Sequence, residues 1–434
     1  MRRAYALTFV FAVISGAFTY ACSDETEPLP SNEPGDGGTG RDSGNGGRDG
    51  QSSDDDPPTD DGGSPHDGDA STEDADSPDA LDASDDAPID GGDEEVDGGP
   101  PPPHTVVVLR VGELDGGALS AGAAQVFLDE YELRKNTLVR TIRLPTEANG
   151  DHRPLVQSTT LIREGSLSTT EDGRAVVVAG YTGYPDDGTG PWTSRPADIP
   201  RVVARVTADG RVDTTTLISD SFGANYVGGA TISGTDVWIG GNAGSGGPVQ
   251  YLRFGNSVGG GATTGTQIIA PFYAHTCLRI FEGQLYAAAS NYIIYQVGTG
   301  LPTTGNQVET AIVEDAIGAF EFEFVDMDGQ PGAERLYIAV DGIGGIPGGV
   351  RKYVYDDAEK KWTFSTTLRD DPTSGLRGLT AYKDGDDVIL AATSPDGKRL
   401  VRIVDPAVGA ATSTVIATAP DGVMYRGVTR APKP

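Results

Sequence analysis

Short runs of β-branched and apolar residues alternate with Gly, Asp-Gly, Pro and Asn over most of the chain from residue 104 to residue 434. The first run, Thr105–Val111, is almost entirely β-branched and apolar, which is typical of a fully buried strand. The later runs are equally short, and none has the 3.6-residue period of an amphipathic helix. The pattern predicts an all-β domain of the sandwich, barrel or propeller type.

An internal repeat favours the propeller. One predicted unit contains four strands, at Leu376–Tyr382, Val388–Thr393, Arg399–Val404 and Thr412–Ala417. The turns between them contain Asp-Gly, which supplies the positive φ that tight hairpins need. Four more units with this layout are predicted, and their first strands are Ser166–Thr170, Tyr226–Ser233, His275–Phe281 and Phe320–Val325.

The two ends of this region together supply the four strands of one further unit. The C-terminal stretch Tyr425–Thr429 repeats Leu376–Thr380, so it reads as a first strand without partners. At the other end, three strands lack a first strand, and they are Thr105–Val111, Val126–Leu133 and Leu138–Leu144. We therefore predict a six-bladed β-propeller over 104–434, closed by the C-terminal strand, because closure removes exposed sheet edges. A seven-bladed ring is the alternative, since the insertions 145–164 and 181–200 have room for further strands.

The N-terminus predicts export. Residues 1–22 have a basic start, an apolar run from Ala4 to Phe18 and a small residue, Ala21, before Cys22. This is the layout of a secretory signal peptide. The ending resembles a bacterial lipobox, although Thr19 and Tyr20 depart from the usual pattern. The resemblance implies a lipid on Cys22 and, since Asp is absent at the next position, a place in the outer membrane.

Residues 23–103 consist mainly of Asp, Gly, Ser and Pro. They contain 26 of the 64 acidic residues and only two of the 32 Lys and Arg residues, so most of the net charge of −32 lies here. Such a composition cannot bury enough apolar surface to offset the entropy of ordering. We predict a disordered acidic tether between the anchor and the propeller. The rest of the chain is mildly acidic, which argues against nucleic-acid binding.

Two turn phrases, Thr170–Arg174 and Ser394–Gly397, resemble those of the broad bacterial TolB-like and YVTN-type propeller superfamily. The resemblance covers roughly 104–434 and rests on structural turn signals. It implies a secreted propeller lipoprotein of that general kind. It implies no activity, because one fold hosts many functions.

Candidate ligand-binding residues follow from aligning the first strands, which line the channel of a propeller. The alignment brings six side chains to one mouth of the channel, and they are Glu164, Tyr226, His275, Glu321, Arg377 and Arg426. Arginines, a histidine and carboxylates together suit an anionic or carbohydrate ligand. The alternative is a ring of internal salt bridges that plugs the channel. The insertion 181–200 adds Trp192, which either contributes to a binding surface or packs its own loop down.

Metal and thiol chemistry have weaker signals. Asp326 and Asp328 resemble the opening of a Ca²⁺ loop, but the twelfth position is Tyr337, where an EF-hand needs Glu. They remain candidate Ca²⁺ ligands, and a hairpin turn with paired Asp is the preferred interpretation. Cys277 reads as a small buried residue.

Common enzyme signatures are missing from the sequence, including the Gly-x-Ser-x-Gly elbow and the His-Glu-x-x-His zinc motif. We therefore assign no catalytic residue, and we favour a monomeric, lipid-anchored binding or scaffold module for a partner protein or glycan. The alternative is a propeller enzyme, of the hydrolase, lactonase or sugar oxidoreductase class, with its site at the channel mouth.

Overall fold

The computed structural model describes residues 104–115, 117–119, 122–185, 190–242, 247–270, 272–342, 347–371 and 375–434. The predicted signal peptide 1–22, with Cys22, and the predicted tether 23–103 lie outside these ranges. All described residues belong to one compact unit. Their helices are two short 3₁₀ turns at Pro191–Thr193 and Val258–Gly260, and neither has the length and apolar character to span a membrane.

The described residues form 25 β-strands. The first eight are β1 Thr105–Val111, β2 Ala123–Glu132, β3 Thr137–Arg143, β4 Val156–Ser158, β5 Leu167–Thr169, β6 Ala175–Tyr181, β7 Arg201–Thr207 and β8 Val212–Ile218. The next eight are β9 Val227–Ser233, β10 Asp236–Gly241, β11 Val249–Arg253, β12 Thr266–Gln267, β13 His275–Phe281, β14 Gln284–Ala289, β15 Ile294–Val297 and β16 Glu309–Val313. The last nine are β17 Ala319–Val325, β18 Arg335–Val340, β19 Gly349–Asp356, β20 Lys361–Leu368, β21 Leu379–Asp384, β22 Asp387–Thr393, β23 Arg399–Asp405, β24 Thr412–Thr418 and β25 Met424–Arg430.

These strands form six antiparallel blades of a propeller. Blades 1 to 5 each use four strands that follow one another in the chain: β5–β8, β9–β12, β13–β16, β17–β20 and β21–β24. Blade 6 joins the two ends of the domain, because β25 pairs with β1, which is followed by β2 and β3. In this closure Val107 pairs with Thr429, and Val106 pairs with Arg430. The predicted six-bladed ring and its closure by the C-terminal strand are confirmed.

The insertion 145–164 contains one short strand but no further blade. Strand β4 pairs with β2 through Ala124 and Gln157, and it meets β6 where Val156 pairs with Tyr181. Blades 6 and 1 are therefore joined into one nine-stranded sheet. This extra strand places Gln157 and Ser158 beside the channel, where they contact residues of the candidate site.

Apolar clusters fill the space between neighbouring blades. Each of six clusters in the described residues combines buried side chains from two adjacent blades. The cluster between blades 6 and 1 includes Val107 and Leu128 from the first, and Val176 and Val202 from the second. Because each blade is covered on both faces, its inner strands are apolar on both sides. This explains the near-continuous apolar runs in the sequence.

The two Arg-Gly repeats meet at the channel. A Cβ atom on Gly378 would lie 2.3 Å from the carbonyl oxygen of Arg426 and 3.1 Å from the Cα of Gly427. A side chain at Gly378 would therefore force blades 5 and 6 apart. Strand β21 begins at Leu379 rather than at the predicted Leu376, because the Gly378 amide donates to the Thr393 hydroxyl instead of a strand carbonyl.

Candidate functional site

The six first strands, β5, β9, β13, β17, β21 and β25, contact one another around the central channel. A cavity of about 60 Å³ lies at their N-terminal ends, and we call it the upper cavity. A second cavity of about 520 Å³ lies at their C-terminal ends, and we call it the lower cavity. The channel thus has two different mouths.

The upper cavity brings together four of the predicted residues, Glu164, Glu321, Arg377 and Arg426. Tyr226, His275 and Trp192 do not line the cavity, although Tyr226 is near enough to Arg163 and Glu164 for their charges to affect its pKa. The cavity is also lined by two residues that the strand alignment did not single out, and they are Arg163 and Phe320.

Glu164 and Arg426 form a buried ion pair. Arg426 Nη1 lies 3.3 Å from Glu164 Oε2 and donates to Gln157 Oε1 at 2.8 Å. Its Nη2 donates to the carbonyl oxygen of Ser158. The carboxylate also accepts from the Tyr181 hydroxyl at 2.6 Å. Burial raises the pKa of Glu164, and Arg426 opposes that rise. This pair closes one side of the cavity.

Glu321 belongs to a second buried group. Its Oε2 accepts from the Leu379 amide at 3.0 Å and lies 3.3 Å from Arg279 Nη2. Arg279 Nε also lies 3.5 Å from Glu323 Oε2, so one guanidinium serves both carboxylates of β17. Burial raises the pKa of Glu321 to about 7, against the opposing effect of Arg279. Together with the Glu164–Arg426 pair, this group matches the salt-bridge plug that the sequence left open as an alternative.

Arg377 is paired with an acidic residue. Its Nη2 lies 2.6 Å and its Nε 3.1 Å from Asp341 Oδ2, and Nη1 donates to the carbonyl oxygen of Pro395. Its guanidinium carbon lies 4.9 Å from the centre of the Phe320 ring. The positive charge of Arg377 is therefore already balanced by Asp341.

Arg163 has no such balance. Its guanidinium carbon lies 4.8 Å from the same Phe320 ring, in a cation–π contact. Its Nη1 is shielded from solvent and has no hydrogen-bond partner. Among the described residues, no carboxylate forms an ion pair with Arg163. A half-buried guanidinium without a counter-charge is unfavourable by itself, so this position is suited to an external anion.

The other three predicted residues lie outside this cavity. His275 is fully buried, and its Nε2 lies 2.5 Å from Glu309 Oε1 on β16, the outermost strand of its own blade. A bulge between His275 and Cys277 interrupts the alternation of side chains at this point. Tyr226 is buried immediately before β9, and burial raises its pKa. Trp192 packs against the apolar cluster between blades 1 and 2, which matches the interpretation that it holds its own loop.

The cysteine and the acidic turn have structural surroundings. Cys277 is fully buried, and burial raises the pKa of its thiol to about 11, so it is a poor nucleophile. Oxygens of Asp326, Asp328 and Glu334 lie within 4.8 Å of one another. Backbone amides donate hydrogen bonds to two of these carboxylates. The amides of Asp328 and Gly329 donate to Asp326 Oδ1, and the amide of Met327 donates to Glu334 Oε2. This is the hydrogen bonding of a turn.

The lower cavity was not predicted from the sequence. Its lining includes Thr231, Arg279, Glu323 and the ring of Phe281. Glu323 follows Glu321 of the upper cavity by two residues on the same face of β17, so the period-two pattern of this strand was a signal for it. The buried plug separates the two cavities.

Comparison with known proteins adds three likenesses of fold. No family model and no curated protein matches the chain. A protein from Lactobacillus plantarum is 13% identical, with 72% of this chain and 82% of that chain covered and a TM-score of 0.40. A hypothetical selenium-binding protein from Sulfolobus tokodaii is 10% identical, with 77% and 95% covered and a TM-score of 0.43. The periplasmic gluconolactonase of Pseudomonas aeruginosa is 14% identical, with 74% and 83% covered and a TM-score of 0.39. At these scores the likenesses carry no argument about ligand or activity.

Proposed function

We propose that this protein is an exported, lipid-anchored propeller that binds an acidic glycan, with a carboxylate group of the glycan held in the upper cavity. The observation that carries the proposal is Arg163, whose guanidinium is half-buried beside the cavity and has no acidic partner within the part of the chain that the structure describes. A carboxylate would supply the missing charge and accept from the unused Nη1.

The size of the upper cavity limits what enters it. Its volume of about 60 Å³ lies well below the roughly 300 Å³ at which pockets for whole small molecules begin. A carboxylate fits, whereas a sugar ring does not. The remainder of the glycan would lie over the outer surface of the mouth, near exposed loop residues such as Ile162.

The state of the carboxylates favours binding over catalysis. Glu164 is tied to Arg426 and Tyr181, and Glu321 is tied to Arg279 and a backbone amide. A carboxylate that acts as nucleophile or base must reach the substrate. Both of these are instead committed to the interior of the channel.

One observation supports an enzyme as the second candidate. Glu321 lines the upper cavity, and burial raises its pKa to about 7. A general acid or base works best when its pKa lies near the working pH. A hydrolase or lactonase of a sugar acid would use this carboxyl group, and its turnover would be abolished in the Glu321→Gln variant.

The location rests on the sequence of residues 1–103. A signal peptide ending at Cys22 and an acidic tether would hold the propeller away from a membrane surface, where it can reach a polymer. If this is right, Cys22→Ser will abolish incorporation of labelled palmitate and release the protein from the membrane fraction. Labelling that persists in the variant would contradict the anchor.

A thermal-shift series tests the ligand. D-glucuronate is expected to raise the melting temperature of the wild-type domain. Arg163→Gln should remove the glucuronate shift. Arg211→Gln is the matched control, because that arginine lies on an exposed turn with its side chain 87% exposed. A glucuronate shift retained in Arg163→Gln, or lost in Arg211→Gln, would contradict the proposal.

A further inference from the structure

We propose that the lower cavity is a second, independent ligand site, and that it takes a neutral polyhydroxy compound of about one or two sugar units. It lies at the opposite end of the channel from Arg163 and is formed by different residues of the first strands. The inference does not depend on the function proposed for the upper cavity.

The lower cavity has the size of a ligand pocket. Its volume of about 520 Å³ falls inside the range of roughly 300 to 1,000 Å³ that small-molecule sites occupy. Its walls come from the first strands of the blades, which pack tightly against one another. The cavity is therefore formed by the rigid part of the fold.

Two buried polar atoms at the cavity have no hydrogen-bond partner. Thr231 is 1% exposed, it lines the cavity, and its hydroxyl oxygen is unpartnered. Arg279 is 6% exposed, and its Nε makes no hydrogen bond, although Glu323 Oε2 lies 3.5 Å away. Buried polar atoms are normally satisfied, so each of these requires an explanation. A ligand with hydroxyl groups would satisfy both.

The charges at the cavity favour a neutral ligand. On the floor, Arg279 is shared by Glu323 and Glu321, and burial favours the neutral form of Glu321 by raising its pKa to about 7. The rim also carries both signs, since Glu171 and Glu282 stand with Lys383 and Lys433. A net anion or cation gains little from such a balanced surface. A sugar hydroxyl both donates and accepts, so a pair of hydroxyls can bridge the guanidinium and the carboxylate.

An apolar wall completes the site. Phe281 is half-buried and is one of the lining residues, and its ring packs on Phe324 of the apolar cluster between blades 3 and 4, with the two ring centres 5.0 Å apart. Aromatic walls with a few convergent polar groups are the usual composition of a small-molecule site. The C–H face of a sugar ring would pack on such a wall while its hydroxyls face Arg279 and Thr231.

Thr231→Val is the decisive variant, because it keeps the shape of the side chain and removes the hydroxyl. D-glucose and maltose are the probes, with acetate as the anionic comparison and methylammonium as the cationic one, and binding is measured by ligand-observed NMR on the full propeller. We expect the sugars to bind and the charged probes not to bind. Thr231→Val should weaken sugar binding about fivefold, the factor expected for one lost hydrogen bond of ordinary strength, about 1 kcal/mol.

Two further variants make the result unambiguous. Thr231→Ser retains a hydroxyl and should restore binding, which a general packing defect would not allow. Arg163→Gln should leave sugar binding in the lower cavity unchanged, so failure at one mouth is distinguishable from failure at the other. Absence of sugar binding to the wild-type propeller, or equal binding by Thr231→Val, would overturn the proposal.

Discussion

The two sides of the upper cavity contain the same type of residue in opposite circumstances. On one side, Arg426 is buried and engaged by Glu164, Gln157 and the Ser158 carbonyl. On the other, Arg163 lies over the Phe320 ring, and the residues described by the structure give it no counter-charge and leave one of its nitrogens unpartnered. The difference separates an arginine that the fold requires from one that is available to a ligand.

This contrast has an energetic basis. Removing one member of a buried ion pair leaves the other charge uncompensated, which typically costs about 3–5 kcal/mol. Removing a guanidinium that has no acidic partner leaves no such charge behind. Substitutions on the Arg426 side should therefore affect folding, and substitutions on the Arg163 side should affect binding.

The largest effect is expected from removing the strand that carries Arg426. Deletion of Met424–Pro434 removes β25, which pairs with β1 and closes the ring. The exposed edge and the opened apolar clusters should leave the domain unfolded by circular dichroism. Deletion of Pro432–Pro434 alone is the control, because it costs the Lys433 amide bond to Gly173 but keeps β25 whole. A domain that still folds without β25 would contradict the claim that this strand closes the ring.

Arg426→Gln should be the most destabilising single substitution of the comparison. We expect the free energy of unfolding, measured by urea denaturation, to fall by about 3–5 kcal/mol, because buried Glu164 loses its partner. The double variant Glu164→Gln/Arg426→Gln removes both charges and should recover part of that loss. If Arg426→Gln is as stable as the wild type, the pair does not hold the mouth closed.

The buried Glu321 should make stability depend on pH. Its pKa is raised to about 7 in the folded protein from its usual value of 4.5, so the protonated form is favoured by folding. Its contribution is complete below pH 4.5 and is lost as the pH rises through about 7. From the shift, that contribution is about 3 kcal/mol. In Glu321→Gln the free energy of unfolding should not decline between pH 4.5 and 7 in this way. If the wild type and Glu321→Gln show the same dependence on pH, the raised pKa does not belong to Glu321.

The smallest effect on stability is expected from Arg163→Gln. Among the described residues the guanidinium has no ion-pair partner and makes a cation–π contact with Phe320, so the free energy of unfolding should change by no more than about 1 kcal/mol. The same substitution at Arg426 provides the matched comparison in the same urea experiment. A loss comparable to that of Arg426→Gln would show that Arg163 also serves the fold.

The ring was predictable because its signals are local and repeated. The four-strand layout with short Gly-containing turns recurs along the chain, and the echo between Arg377 and Arg426 identifies the last strand, so one unit predicts the others. Strand β4 was not predicted, because three residues pairing with distant β2 leave no periodic pattern. The partners that β4 gives Arg426, Gln157 and Ser158, were missed for the same reason.

The site was predictable only where a repeat defined its position. Aligning first strands placed Glu164, Glu321, Arg377 and Arg426 correctly around the upper cavity. For His275 the alignment was broken by a bulge. Arg163 is adjacent to Glu164 in the sequence, but what distinguishes it is the absence of a partner. That property depends on every residue packed around it and has no signature in the chain.

The most direct measurement is the dissociation constant of D-glucuronate, by calorimetry, for the wild-type propeller, Arg163→Gln and Arg211→Gln. If the unpaired guanidinium of Arg163 holds the carboxylate, Arg163→Gln will bind at least about tenfold more weakly, the factor for one lost charge-assisted hydrogen bond of modest strength. Arg211→Gln will bind like the wild type, and all three proteins will be equally stable. The same dissociation constant in Arg163→Gln and in the wild type would contradict the account.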